Sequence, residues 1–460
     1  MEFTSDVITE YAHGLSIDDI SAEAIDAAKR LVLDSVGCCL GAYTSPPSKH
    51  LRGTYGRLDG PDGRTATVFG AGTETLVEYA GLINATQVRY LDYNDTYISE
   101  GRACHPSDHI PALISVAEAE GRTGAELVEA IVLAYEIEGA GVDTGVLWGN
   151  DYDYVTWGAF SGAVAVGKLM GLDYEQIRNA VGIAGASNLT LMISRKGDVS
   201  MWKGAAHPYV THNAIQACQM ARAGLTGPER VFEGPGGFFE VVADRRLEID
   251  RLGGRDGAAY RITDAHVKPF PCGYYMQPMV AGVRDLVADH DVAHDAIEEI
   301  RIETFDEAAS ILGGAEKWSA DLTRESADHS IPYTAAIAAI YGDVEPKHYG
   351  QAYRSDPTVH RLMQLVSVTE TDAMNAEAVR NPDSTPSIVR LVADGATYET
   401  HVDYAPGHAQ NPMSQADLEA KMRSMAEPLL TDEQVETLVD SCGRLETLST
   451  VDSLVDALTI

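Results

Sequence analysis

From the start of the chain to about residue 262, apolar positions recur at helical spacing, with short Gly-containing breaks and little sustained alternation. Thr123-Gly124-Ala125-Glu126 reads as a capping box opening a helix over 127–136, whose Leu127, Val128, Ile131, Val132 and Tyr135 form one stripe. The Ala- and Gly-rich stretches 158–167 and 180–186 are expected to pack very closely. The character changes near Val267-Lys268-Pro269-Phe270-Pro271. Ile300-Arg301-Ile302-Glu303-Thr304 then alternates as a strand, and 387–404 reads as a hairpin turning at Asp394-Gly395. Beyond Pro406-Gly407 capped helices return, starting at Ser414-x-x-Asp417 and Thr431-x-x-Gln434. If the last segment packs back on the first, the small α/β part is an insertion in a helical domain.

A chain of 460 residues, 45% hydrophobic, is long enough for two domains and a large buried core. Acidic residues outnumber basic ones by 69 to 34, and the formal net charge of -35 is spread along the chain with no basic arm or stripe. Nucleic-acid and anionic-membrane partners are therefore not expected. Lysine is far scarcer than arginine, which together with the acidity suits a solvated surface adapted to high salt. The opening Met1-Glu2-Phe3-Thr4-Ser5-Asp6 lacks the basic and apolar stretches of a signal peptide, and no run is apolar enough to span a bilayer, so a cytoplasmic location is expected. The six cysteines (Cys38, Cys39, Cys104, Cys218, Cys272, Cys442) form no CxxC pair and no spacing suited to zinc or an iron–sulfur cluster. They are expected to be reduced and mostly buried.

The densest polar cluster runs from Leu91-Asp92-Tyr93-Asn94-Asp95-Thr96-Tyr97 to Cys104-His105-Pro106-Ser107-Asp108-His109. Its carboxylates, hydroxyl and imidazoles suit a general base, a general acid and donors to substrate oxygens, while a surface loop with an Asx turn and a helix cap accounts for the same residues. A metal site on His105 and His109 with Asp95 and Asp108 is disfavoured, because Pro106 lies between the histidines and no HExxH pattern is present. In Asp198-Val199-Ser200-Met201-Trp202-Lys203-Gly204-Ala205-Ala206-His207-Pro208 the ammonium of Lys203 sits among apolar and small residues. It suits an anionic ligand or a snorkelling lysine at a helix start. Lys268, stiffened by its prolines, faces a cleft or caps a helix end. Tyr333, after Asp328-His329-Ser330-Ile331-Pro332, donates into a cleft or packs at the start of an apolar helix over 334–341. Glu233-Gly234-Pro235-Gly236-Gly237-Phe238 has no strand–loop–helix context for a dinucleotide and suits a rigid loop; there is no P-loop and no G-x-S-x-G elbow.

Taken together, these segments resemble the MmgE/PrpD family over nearly the whole chain. The resemblance rests on 27–37 and Leu40-Gly41-Ala42, the runs 91–96, 105–108 and 201–206, Leu225-Thr226-Gly227-Pro228, and the runs 268–272 and 328–333. It implies a mainly α fold: a large all-helical domain, discontinuous in sequence (residues 1–266 and 407–460), with an inserted smaller α/β lid (267–406), assembled as a homodimer. It also implies a lyase acting on a small polycarboxylate, with no cofactor and no metal. By position the active site contains Asp92, Thr96, His105, Lys203, Lys268 and Tyr333, with Asp95 and Gln277 also on the substrate side. The runs 93–96 and 105–108, and Gln277, resemble the dehydratases of the family more than its decarboxylases, so the expected reaction is dehydration of 2-methylcitrate to 2-methyl-cis-aconitate. Here His105 is the base and Asp92 orients it, Lys203 and Lys268 stabilise enediolate charge, and Tyr333 or a protonated carboxyl delivers a proton to the departing hydroxyl. The chain departs from the family pattern at Gly273, where a chemically capable side chain is usual. The alternatives are cis-aconitate decarboxylation, epimerisation of an amino-dicarboxylate, and a non-catalytic polycarboxylate-binding protein.

Overall fold

The computed structural model describes residues 3–60, 64–99, 102–147, 150–196, 199–249 and 251–460. About 58% of it is helical, with small sheets. The helix Gly124–Asp143 begins where the capping box places it: the Thr123 side chain accepts from the Glu126 amide, and the Glu126 carboxylate accepts from the Thr123 amide in return. It runs longer than its apolar stripe, because Glu136 and Glu138 are buried on partners instead of facing solvent. It packs on Val155–Leu169, which packs in turn on Tyr174–Ser187 and Ala206–Arg222. Close approach explains the small residues. A Cβ on Gly141 would lie 2.2 Å from Trp157, and one on Gly185 would lie 2.2 Å from Phe160.

Two expectations for the first half need correction. The region is not all-helical, since short hairpins pair Thr65–Val68 with Thr73–Leu76 and Tyr97–Ser99 with Arg102–Cys104. Strands of three or four residues are too short to leave an alternating signature. Nor does the helical pattern persist to residue 262: after Arg222 the chain holds only short helical turns up to Met276. Its apolar residues are placed by packing instead, as where Phe232 and Phe238 lie 4.4 and 5.4 Å from the Phe160 ring.

The α/β part is a four-stranded sheet in the order Val366–Glu370, Ile297–Thr304, Ser387–Ala393, Ala396–Val402. The first pair is parallel and the others antiparallel. The hairpin turns where expected: Asp394 and Gly395 both take positive φ, 51° and 73°, and Ala393 pairs with Ala396. Helix Gln277–Asp289 covers the sheet, packing beside Ile331–Tyr341.

Most buried apolar residues fall into two clusters. One joins the helices before residue 267 to those after residue 417; the other gathers the sheet with its helices, from Phe270 to Leu391, and takes in Ile98. Both C-terminal capping boxes form, at Ser414/Asp417 and Thr431/Gln434. Helix Gln415–Ala426 then lies on Ala22–Gly41, where a Cβ on Gly37 would be 3.0 Å from the Met422 backbone. Lys421 Nζ, buried there, lies 2.5 Å from Asp34 Oδ1 and donates to the Tyr93 carbonyl at 2.7 Å. Where the chain passes between the clusters, the backbones of Thr96 and His266 exchange two hydrogen bonds, and the Val267 amide donates to Gly407. Among the described residues, no helix is long and apolar enough to cross a membrane.

Removing one partner of a buried ion pair strands the other, so Lys421→Met is expected to lower unfolding free energy by about 3–5 kcal/mol. The double variant Asp34→Leu/Lys421→Met should recover most of that loss in urea denaturation. A single variant as stable as the parent would mean that this pair does not tether the C-terminal helices.

Candidate active site

A cleft of about 820 Å³, including its open mouth, lies where the helical segments meet the α/β part. Four cationic side chains line it, Arg89, Arg195, Lys196 and Lys203, against one carboxylate, Asp92. Arg89 is the last basic residue of helix Val77–Tyr90. The chain leaves that helix through Asp92 at a positive φ of 52°, a conformation Asp tolerates better than most residues, and this turns the carboxylate back onto the Arg89 guanidinium. Lys203 Nζ lies 3.5 Å from Asp92 Oδ2, and Lys268 Nζ lies 3.3 Å from Oδ1 while donating to the Asp92 carbonyl at 3.1 Å. Burial alone would push the Asp92 carboxyl up, but Arg89, Lys203 and Lys268 together hold it well below the usual carboxylate range.

From the α/β part, His329 reaches into the same cleft. Its Nδ1 is 2.6 Å from Asp328 Oδ1, its Nε2 is 2.9 Å from Lys203 Nζ, and Asp328 is itself paired with Arg324 at 2.6 Å. Burial and the neighbouring Lys203 charge lower the His329 pKa to about 4, so the ring is neutral: Nδ1–H donates to Asp328 and Nε2 accepts from Lys203. Burial also brings the Lys203 ammonium down to about 8.

His105, which also lines the cleft, is 7% exposed, and its Nδ1 lies 2.6 Å from the Asp95 carbonyl oxygen. A carbonyl only accepts, so Nδ1 carries the proton and Nε2 is left as a free base. Burial, then Arg89 and Lys268, press its pKa well below the ordinary value. The ring is therefore neutral at neutral pH, with Nε2 unprotonated.

Of the expected site residues, Asp92, His105 and Lys203 line the cleft; the other five do not. Lys268 is fully buried beneath Asp92 and props that loop instead of facing a ligand. Thr96 Oγ1 is turned to His105 Nδ1, 3.2 Å away. Asp95 accepts from the Tyr135 hydroxyl at 2.6 Å, in surroundings so dry that burial raises its carboxyl to about 7. Gln277 donates to the carbonyls of Phe270 and Cys272 and accepts from the Phe270 amide, so it shapes the 268–272 loop. Tyr333 donates its hydroxyl to the His348 carbonyl inside the second core. Arg89, Arg195 and His329 were not foreseen. The lone basic residue of helix Val77–Tyr90, one residue before the Tyr90–Leu91–Asp92 exit, was the available signal for the first.

His105 and His109 do not share a site. His109 Nε2 points to Glu138 Oε2 at 3.1 Å, joined there by His207 Nε2 at 3.2 Å, and Thr211 Oγ1 meets His109 Nδ1 at 3.0 Å. Ligand atoms of these three residues all lie within 4.8 Å of one another, so they have the donor set for a metal, although each imidazole already has hydrogen-bond partners. All six cysteines are buried and free of disulfides.

The sequence matches the MmgE/PrpD N-terminal domain over residues 6–249 and the MmgE/PrpD C-terminal domain over residues 270–445. It is 25% identical to the cis-aconitate decarboxylase of Homo sapiens, covering 95% of this chain and 90% of the relative. It is 24% identical to the 2-methylcitrate dehydratase of Escherichia coli K12, covering 89% of this chain and 87% of the relative. A third relative, the 2-methylcitrate dehydratase of Cupriavidus necator, is 24% identical over 84% of this chain and 82% of its own length.

At pH 6 His105 is expected to remain the neutral Nδ1–H tautomer, because its lowered pKa delays protonation to more acidic solution. Nitrogen shifts of histidine-labelled protein, assigned with His105→Gln, read this directly. An imidazolium at pH 6 would contradict the geometry.

Proposed function

The chain belongs to the MmgE/PrpD family, and from that premise we propose that it is a cofactor-independent, metal-independent lyase that dehydrates 2-methylcitrate to 2-methyl-cis-aconitate, or acts alike on a closely related polycarboxylate. The observation that carries this reading is the pairing of a cation-lined cleft with a neutral imidazole free at Nε2. His105 Nε2 removes the proton from the carbon next to a substrate carboxylate. Arg89, Arg195 and Lys203 stabilise the charge that builds on that carboxylate. Lys203, with its pKa brought to about 8, then protonates the neighbouring hydroxyl, which leaves as water. Asp92 holds the cations in place, and the α/β part acts as a lid that contributes His329.

We also propose a homodimer. Leu191, Ile193, Met201, Trp202 and Tyr209 present an exposed apolar face on a chain whose net charge is -35. Decarboxylation of cis-aconitate is the second reading, favoured by the human relative.

Incubation with 2-methylcitrate is expected to produce ultraviolet absorbance from a new conjugated double bond, undiminished after exhaustive chelation. His105→Asn, which keeps a donor for the Asp95 carbonyl but no base, should lower kcat by about two to four orders of magnitude with a smaller change in KM. Near-normal turnover in a folded His105→Asn protein removes His105 from the mechanism. Carbon dioxide release from cis-aconitate without dehydration of 2-methylcitrate selects the second reading, and reversible loss of turnover on chelation overturns the metal-free one.

A further inference from the structure

The cleft is lined by apolar side chains as well as cations: Ala103, Met192, Val199, Ile311 and Leu312, drawn from three separate parts of the chain, also line it. Leu312 and Ile311 end helix Asp306–Leu312, Ala103 belongs to the short hairpin, and Met192 and Val199 come from the loop after Ser187. Met192 and Val199 are only 4% and 6% exposed, yet they belong to neither hydrophobic core. A substrate made of carboxylates and hydroxyls alone gives the apolar side chains that line the cleft no apolar partner.

Gly273 widens the same space. Its φ of −50° is open to any residue, and a Cβ there would stand 3.4 Å from the His329 ring, in ordinary contact. Neither the backbone nor crowding requires glycine at this position, so its effect is the room it leaves.

We propose that the substrate is an alkyl-substituted polycarboxylate whose unbranched chain is longer than methyl, with the carboxylates against Arg89, Arg195 and Lys203 and the chain against Met192, Val199 and Leu312. This substrate class rests on the lyase reading of the cleft. Each methylene transferred from water to those apolar side chains should improve binding about fourfold. Ile311, 40% exposed at the rim, is where a longer chain emerges.

Succinates bearing methyl, ethyl, propyl or butyl groups keep two carboxylates and cannot be dehydrated, so their binding to the intact enzyme is measured by calorimetry without turnover. Affinity is expected to rise about fourfold per methylene at least to propyl. Leu312→Asp should flatten that gradient; because Leu312 also belongs to the second core, Ile311→Asp, at an exposed position, should weaken the butyl compound more than the methyl one and serves as the folding-safe variant. Affinity that is level or falls from methyl onward overturns the proposal, as does an unchanged gradient in both variants. Dehydration of 2-methylcitrate, followed in parallel, separates the two ideas: a chain-length gradient without that turnover sinks the reaction and keeps the apolar subsite, and turnover without a gradient does the reverse.

Discussion

A carboxylate only 2% exposed stays ionised in a protein interior when opposite charge lies against it, and Asp92 meets that condition several times over. Arg89 comes from the helix just before it, Lys203 from the turn Met201–Gly204, Lys268 from the crossing between the two cores, and His329 from the α/β part. One buried anion thus gathers groups from four parts of the chain and fixes how the two cores meet. The dependence runs both ways. Three cations this close would repel one another without Asp92.

That cluster of cations stands within a molecule of net charge -35. A polyanion approaching from a distance meets repulsion, which salt screens beyond a Debye length of about 8–10 Å. At the cleft it meets Arg89, Arg195, Lys196 and Lys203 at short range, although Asp92, Asp151, Asp153 and Asp328 pair with them. A high-salt medium weakens the first effect more than the second, because the contacts at Asp92 are desolvated. Lys203 links this field to the proton chemistry: burial brings it to about 8, and a substrate carboxylate beside it would favour the ammonium again until the proton is passed on.

What could be seen in the sequence was what local interactions decide. The capping boxes at Thr123, Ser414 and Thr431 and the Asp394-Gly395 turn depend on side chains within three residues of one another, and all form. The hairpin at 97–104 and the loops after Arg222 depend on distant packing, and periodicity misread them. At the site, residue type pointed to Asp92, His105 and Lys203, which do converge. It also pointed to Tyr333, Gln277, Asp95, Thr96 and Lys268, which do not line the cleft, since a polar side chain beside a site can be satisfied within the protein as readily as by a ligand. Arg195 and His329 had no local mark at all, as their place in the cleft depends on how the segments around Arg195 and the α/β part fold over it.

The claim that Asp92 holds the cation cage together is tested most directly by the titration of Lys203. In lysine-labelled protein its side-chain resonance should shift near pH 8. Asp92 is among the charges that keep the Lys203 ammonium protonated against burial, and an opposite charge at this range typically contributes about 1–3 pH units. In a folded Asp92→Asn protein the Lys203 transition should therefore move at least about one pH unit lower. A transition that stays in place would contradict the account.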